Sequence, residues 1–248
     1  MTPTGIPTDW IKPDWPAPPN VRAFVTTRHG GVSTGEHESM NLGLHSGDDP
    51  ANVVKNRAIV EANLPSPPRW MKQVHGIDVA DLDAVGEAAP TADAAVSGAP
   101  GRVAVVLTAD CMPLFFCDAR GTRVGVAHAG WRGMAAGVIE ATVGALGVKP
   151  QDVLAWMGPA IGPSAFEVGP EVRAAFLDVD SRAEAAFVPH GDGKYLADLY
   201  TLARQRLERA GVGSVSGGGF CTYRETGRLF SYRRAKASGR MGAFIWME

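Results

Sequence analysis

Cysteine is scarce in this chain of 248 residues: Cys111, Cys117 and Cys221 cannot all pair within one molecule. That excludes a complete disulfide framework and points to a reducing, cytoplasmic setting. Long apolar runs are also missing, since no stretch reaches the ~18 apolar residues of a membrane span. The opening MTPTGIPTDWIKPDWPAPPN has neither the basic nor the apolar region of a secretory signal. Nor is there an excess of one charge. With 24 Lys and Arg against 26 Asp and Glu, the formal net charge is -2. This gives no bulk electrostatic reason to seek nucleic acid or an anionic membrane, so a polyanion-binding role is not expected. The local metal signatures C-x-x-C and H-E-x-x-H are absent, as are repeats, low-complexity tracts and linkers.

What is present reads as one mixed α/β domain over residues 21–248, after an irregular lead-in over 1–20 that is broken by prolines. The alternating VRAFVTT (21–27) predicts a first strand. The following 28–50 is too rich in Gly, Ser, Asn and His for regular structure, and a loop of this length is more often functional than idle. Asp49 before Pro50 predicts a helix start, with the helix running to about Asn63. Further strands are expected over 69–76, 79–85, 102–110, 112–118 and 123–130, the last two joined as a hairpin through DARGTR. One helix is expected at 133–146, closed by Gly147. A strand beginning at VLAWM, helices near 170–178 and 196–210, an apolar strand before SYRR and a final strand GAFIWM complete the reading.

Three side chains sit where a strand pattern gives way to a turn: His75 in KQVHG, Cys111 in TADCMP and His128 in VAHAGWRG. One thiolate and two imidazoles make a complete protein ligand set for a catalytic zinc, with a fourth position left open, and copper accepts the same donors. The same atoms admit a second reading. Cys111 can be a nucleophile with His128 as its base, oriented by Asp110 or another carboxylate. Asp93 in TADAAVSG is a candidate to orient a histidine, to act as acid and base, or simply to cap a turn. Arg132, just after His128 at a strand-to-helix transition, offers an anion site or is simply a surface charge. Arg28, the amide of Asn41 and Arg233 are further candidates for lining a pocket.

These words, in this order, resemble the YfiH family, also called the laccase-domain or multicopper polyphenol oxidase-like family. The matching stretches are TTRHGGVSTG, MNLGLHSGDDPANVVKNR, KQVHG, ADAAVSG, LTADCMPLFF, VAHAGWRG, GPAIGPSAFEVG, CTYRE and FSYRR…GR. The resemblance implies a single-domain, layered α/β/β/α sandwich with mixed, largely antiparallel sheets, similar to Cys/His toxin deamidases. It also implies a zinc site at His75, Cys111 and His128, and purine nucleoside phosphorylase activity that cleaves adenosine or inosine with phosphate. Adenosine deamination, methylthioadenosine phosphorolysis, action on peptidoglycan precursors and copper-dependent phenol oxidation are attributed to the same family. Met40 stands where leucine is expected, and Ala165 and Phe166 where cysteine and tyrosine are common. Phosphorolysis needs an anion site, for which Arg28, Arg132 and Arg233 are the candidates. Blue-copper oxidases need several coppers, and six histidines do not comfortably supply a trinuclear cluster.

Overall fold

The computed structural model describes residues 7–84, 86 and 88–248. The alternating apolar residues of VRAFV form β1 (Val21–Val25). Helix α1 (Pro50–Glu61) starts as its capping residues dictate, with the Asp49 carboxylate accepting from the Ala51 N–H and proline in the first turn. Next come β2 (Val79–Asp81), β3 (Ala94–Ser97), β4 (Ala104–Thr108), β5 (Met112–Asp118) and β6 (Val124–Ala129). The β5–β6 hairpin is closed by Asp118, whose carboxylate accepts from the N–H groups of Thr122 and Arg123.

The helix expected at 133–146 is two helices, α2 (Trp131–Ala136) and α3 (Val138–Ala145). Gly137 breaks it, at φ 110°, a left-handed conformation that glycine adopts without steric cost. Then follow β7 (Val153–Met157), β8 (Glu167–Val168), α4 (Pro170–Leu177), β9 (Phe187–His190), β10 (Lys194–Ala197), α5 (Leu199–Arg209), β11 (Ser214–Gly217) and β12 (Met241–Met247).

Two sheets make the centre. One has the order β1-β12-β4, and the other β11-β7-β5-β6-β3-β2. Pairing is antiparallel except for β11 with β7 and β2 with β3. Strands β5, β6 and β12 are buried along their whole length because both of their faces are covered. Between the sheets, Phe115, Val124 and Val126 meet Val106, Ala243 and Ile245. The outer face of the larger sheet packs Leu114, Phe116 and Ala127 against Met134, Ile139, Val172 and Leu207 of the helices. The outer face of the smaller sheet packs Phe24, Val105 and Phe244 against Val60 of α1 and the loop residues Met40 and Leu42. The layers therefore run α/β/β/α, as expected, with the small hairpin sheet β8-β10-β9 beside the second helical layer.

Some sequence expectations fail for identifiable reasons. Residues 69–76 form only isolated bridges at Arg69 and Lys72, because the N–H groups of 74–76 bond to a side chain and not to a neighbouring strand. Val85, at the end of the strand expected over 79–85, lies outside the described residues, as does the start of the lead-in. The rest of the lead-in is anchored: Ile11 exchanges backbone hydrogen bonds with Val25, and Trp10 stacks on Phe24. Leu229 and Phe230, read as the end of a strand before SYRR, are buried but pair with no strand. The long loop after β1 is tied by a polar knot. Buried Asn56 of α1 donates to the carbonyls of Ser39 and Asn41 and accepts from the Val32 N–H. Gly31 leaves the room this requires, since a Cβ there would lie 2.2 Å from the Ser39 oxygen.

Candidate metal centre

The chain leaves the smaller sheet at the end of β4 and enters the larger one at β5, and Cys111 sits in that crossover. Asp110 makes the turn at φ 91°, and its carboxylate accepts from the Thr222 hydroxyl at 2.5 Å and the Arg233 N–H at 2.6 Å. His128 is near the end of β6, directly across from Pro113, and only 4% exposed. His75 stands in an exposed loop with φ 61°. Three segments remote in sequence therefore converge. The candidate ligand atoms of His75, Cys111 and His128 all lie within 4.8 Å of one another, with Cys111 Sγ 3.9 Å from His75 Nε2.

Asp93, fully buried at the start of β3, organises this convergence. Its Oδ1 accepts from the His75 N–H at 2.9 Å and from His128 Nδ1 at 2.8 Å. Its Oδ2 accepts from the N–H groups of Val74 and Gly76 at 3.0 and 2.7 Å. One carboxylate thus fixes the loop that presents His75 and also the ring of His128. With Nδ1 donating to Asp93, Nε2 is the nitrogen of His128 left for a metal. Burial pushes the Asp93 carboxyl upward, but the bond from His128 and the two backbone bonds outweigh it and hold the group below the usual range. Of the roles open to Asp93, its contacts match two: it caps the 74–76 loop and orients His128. Asp110 does not orient His128; it ties the loops after β11 to the crossover.

Glycine leaves space for the thiol. A Cβ on Gly130 would stand 2.7 Å from Cys111 Sγ and 3.3 Å from His75 Cδ2, so any larger residue would displace the cluster. The donor chemistry also fits a metal. Burial raises the Cys111 thiol, yet the neighbouring imidazoles lower it to about 6. Burial likewise depresses His128, but the thiolate and Asp93 raise it to about 9. Without metal the pair is therefore a thiolate beside an imidazolium, whereas Cys117 is pushed up to about 12 by burial. Metal-free protein should be alkylated by iodoacetamide at Cys111 at pH 7, with the rate falling below pH 6 as the thiolate is protonated, and Cys117 should stay unmodified. Peptide mass mapping would read this, and equal labelling of both thiols would contradict the assigned environment.

One sulfur and two imidazole nitrogens suit zinc, and copper accepts the same set. Among the described residues, no other group of three or more His, Cys, Asp and Glu side chains is placed to share a metal. His37 bonds to the Ser46 carbonyl, while His29 and His190 lie beside Asp9 and Glu167.

The other sequence candidates are less central. Arg28 clamps the carbonyls of Glu38 and Thr226, and exposed Arg132 lies over its neighbour Trp131. Exposed Arg233 donates to the Glu167 carbonyl over the ring of Phe166, but its own N–H on Asp110 ties it to the Cys111 crossover. Asn41 is fully buried. Its amide nitrogen bonds to Ser46 and Asp48, and its oxygen to the N–H groups of Gly43 and Arg240. Sequence reasoning passed over Arg240. Its only sequence mark is the GR that ends the last of the resembling stretches.

Fold and site together define a four-layer α/β/β/α protein with a Cys-His₂ cluster able to hold a metal at the joint between its two central sheets. The chain belongs to the YfiH family: residues 22–248 match the family model described as multi-copper polyphenol oxidoreductase laccase. It is 55% identical over 239 residues to "Purine nucleoside phosphorylase YfiH" of Escherichia coli K12, covering 96% of this chain and 98% of that protein. It is 52% identical to a protein of Pseudomonas aeruginosa also named purine nucleoside phosphorylase, again over 96% of this chain and 98% of the relative. Among solved structures, a Neisseria meningitidis protein superposes with a TM-score of 0.95 at 46% identity, covering 97% of this chain and 100% of the other. YlmD of Geobacillus stearothermophilus superposes at 0.85 with 31% identity, covering 98% and 100%.

Proposed function

We propose that this chain is a zinc-dependent purine nucleoside phosphorylase that cleaves adenosine or inosine with phosphate to the base and ribose 1-phosphate. The observation that carries the reading is the convergence of His75, Cys111 and His128, with both histidines held by the Asp93 carboxylate. Near full-length similarity to relatives bearing that name supports it. In phosphorolysis a phosphate oxygen bonds to C1′ of the ribose while the C1′–N9 bond breaks. The bonding pair leaves with the purine, which takes up a proton. A bound zinc supplies Lewis acidity to an oxygen placed against it. The chain's own residues bind and orient: Asp93 fixes His75 and His128, and a guanidinium must neutralise phosphate. Arg28, Arg132 and Arg233, with the amide of Asn41, are the sequence candidates for that task, and Arg233 is the one whose N–H is tied to Asp110, next to Cys111. Adenosine deamination and methylthioadenosine phosphorolysis are further activities open to the same centre. The free thiols Cys111, Cys117 and Cys221 support a cytoplasmic setting.

Incubating the purified, metal-analysed protein with adenosine, with and without phosphate, tests the reading by product mass. Ribose 1-phosphate should form only with phosphate, stop on treatment with a strong chelator and return with zinc. Unchanged adenosine in every condition would sink the purine reading.

The thiolate–imidazolium pair of Cys111 and His128 favours a second reading, a Cys/His amide hydrolase acting on peptidoglycan precursors. That enzyme would be blocked by an alkylating agent, survive chelation and leave an acyl group on Cys111. A copper-dependent polyphenol oxidase of the multicopper type has less support, because the described residues offer one three-residue cluster.

A further inference from the structure

We propose that Arg240 holds the phosphate co-substrate beside the His75–Cys111–His128 centre, with Tyr232 and Asn41 setting its position. The inference rests on the phosphorylase reading. The other candidate arginines are more exposed or more heavily bonded. Arg28 bridges two loop carbonyls, while Arg132, over Trp131, and Arg233, with one bond to Glu167, are exposed. Arg234 is consumed by the carbonyls of Thr222, Tyr223 and Leu229.

Arg240 combines three features on a half-buried side chain. Its Nη1 is tied to the carbonyls of Ser238 and Gly239, at 2.5 and 3.1 Å, which fixes the plane of the guanidinium. Among the described residues no acceptor is bonded to its Nε or Nη2, so two donating groups remain for an anion. The guanidinium also lies 5.5 Å from the centre of the half-exposed Tyr232 ring, a cation–π contact that holds it from one side.

The backbone around it is equally determined. Asn41 Oδ1 accepts the Arg240 N–H at 2.9 Å, and the Arg240 carbonyl accepts from the Leu42 N–H. Gly43 clears a path for the side chain, because a Cβ there would lie 2.6 Å from Arg240 Cγ. The same residue stands near the reacting centre: Met241 pairs with Thr108 at the end of β4, so the preceding Arg240 lies at the edge from which the chain crosses to Cys111. A half-buried guanidinium with a fixed plane and two available donors is pre-organised for a tetrahedral oxyanion. Asn41, expected from sequence to line the pocket, would then act one step back, by positioning Arg240.

The test compares the wild type with Arg240→Gln and Arg240→Lys, each first checked for zinc content and thermal midpoint. Inorganic phosphate is titrated by calorimetry, and the KM for phosphate is measured separately from the KM for adenosine. Loss of two charge-assisted bonds should weaken phosphate about ten- to a hundredfold in Arg240→Gln, leaving KM for adenosine within a few-fold. Arg240→Lys keeps the charge without the fork and should fall between. Unchanged phosphate affinity in both variants, or a wild type that binds no phosphate, would overturn the inference. Wild-type phosphorolysis with unaltered variants would leave the phosphorylase reading standing. Phosphate binding that disappears in Arg240→Gln, in a protein that only hydrolyses adenosine, would support the anion site and remove the phosphorylase reading.

Discussion

Cys111→Ser is expected to empty the metal centre and abolish turnover while leaving the fold intact. The serine hydroxyl nearly matches the thiol in size, so the close approach of Gly130 is preserved. It is not deprotonated at neutral pH, however, whereas the neighbouring imidazoles hold the native thiol ionised, at about 6. The centre would keep its two imidazoles, one on β6 and one in the loop fixed by Asp93, and lose its only anionic donor. Metal analysis of wild type and variant reads this directly. The zinc content should drop from about one per chain to a trace. Activity should fall by more than the about 100-fold typical of losing a residue that merely supports a ligand. A Cys111→Ser protein that retains stoichiometric zinc and measurable phosphorolysis would remove Cys111 from the ligand set. A variant that keeps its zinc but loses an alkylation-sensitive amidase would favour the hydrolase reading.

The second large effect is expected at Asp93, although this residue makes no contact with a reacting atom. Four donors converge on its two oxygens: the N–H groups of Val74, His75 and Gly76, and Nδ1 of His128. Asparagine would replace one oxygen with an NH₂ group, setting a donor against two donors in a fully buried place. Two hydrogen bonds would be lost and the His75 loop would be free to swing away. Asp93→Asn should therefore weaken zinc about 10- to 100-fold, measured by competition with a chromogenic chelator. It should also lower the unfolding free energy by about 3 kcal/mol, from the buried donors left without partners. Unchanged zinc affinity in a folded Asp93→Asn protein would show that the carboxylate does not position the ligands.

The pH behaviour of Asp93 has a definite sign. Its carboxyl is held below the usual range in the folded protein. The stabilisation it gives is therefore complete above the ordinary carboxylate pKa of about 4 and is lost as the pH falls through the lower folded value. Part of the acid sensitivity of the native protein should be missing from Asp93→Asn. An unchanged acid unfolding midpoint, relative to each protein's stability at pH 7, would count against this.

Local chemistry made some of the structure legible in sequence. Asp49 with Pro50 set the start of α1 through capping and a fixed φ, and DARGTR closed β5–β6 because Asp118 could satisfy the turn. Apolar runs placed β4 to β7 and β12, where burial on both faces demands them. The two breaks were legible only in part. Gly137 could have flagged the split between α2 and α3, but a glycine inside a helical pattern does not by itself reveal a left-handed backbone. Residues 69–76 looked like a strand, and no rule of alternation could show that a carboxylate at position 93 would take three of their N–H groups.

The same division holds at the centre. Residue chemistry alone picked out His75, Cys111 and His128, since thiolate and imidazole are metal donors wherever they meet, but it left ligand and nucleophile both open. The sequence by itself determined which donors were available and the local breaks that expose them. Only the tertiary structure decided that they meet, because the crossover from β4 to β5 carries Cys111 between two sheets while β6 brings His128 to the same joint. It also decided that Arg240 is half-buried with two donor groups unbonded, and that Asn41 accepts its backbone N–H. Those properties belong to the hydrogen bonds of Arg240 and Asn41 with residues far away in the chain, and such bonds leave no periodic trace in sequence.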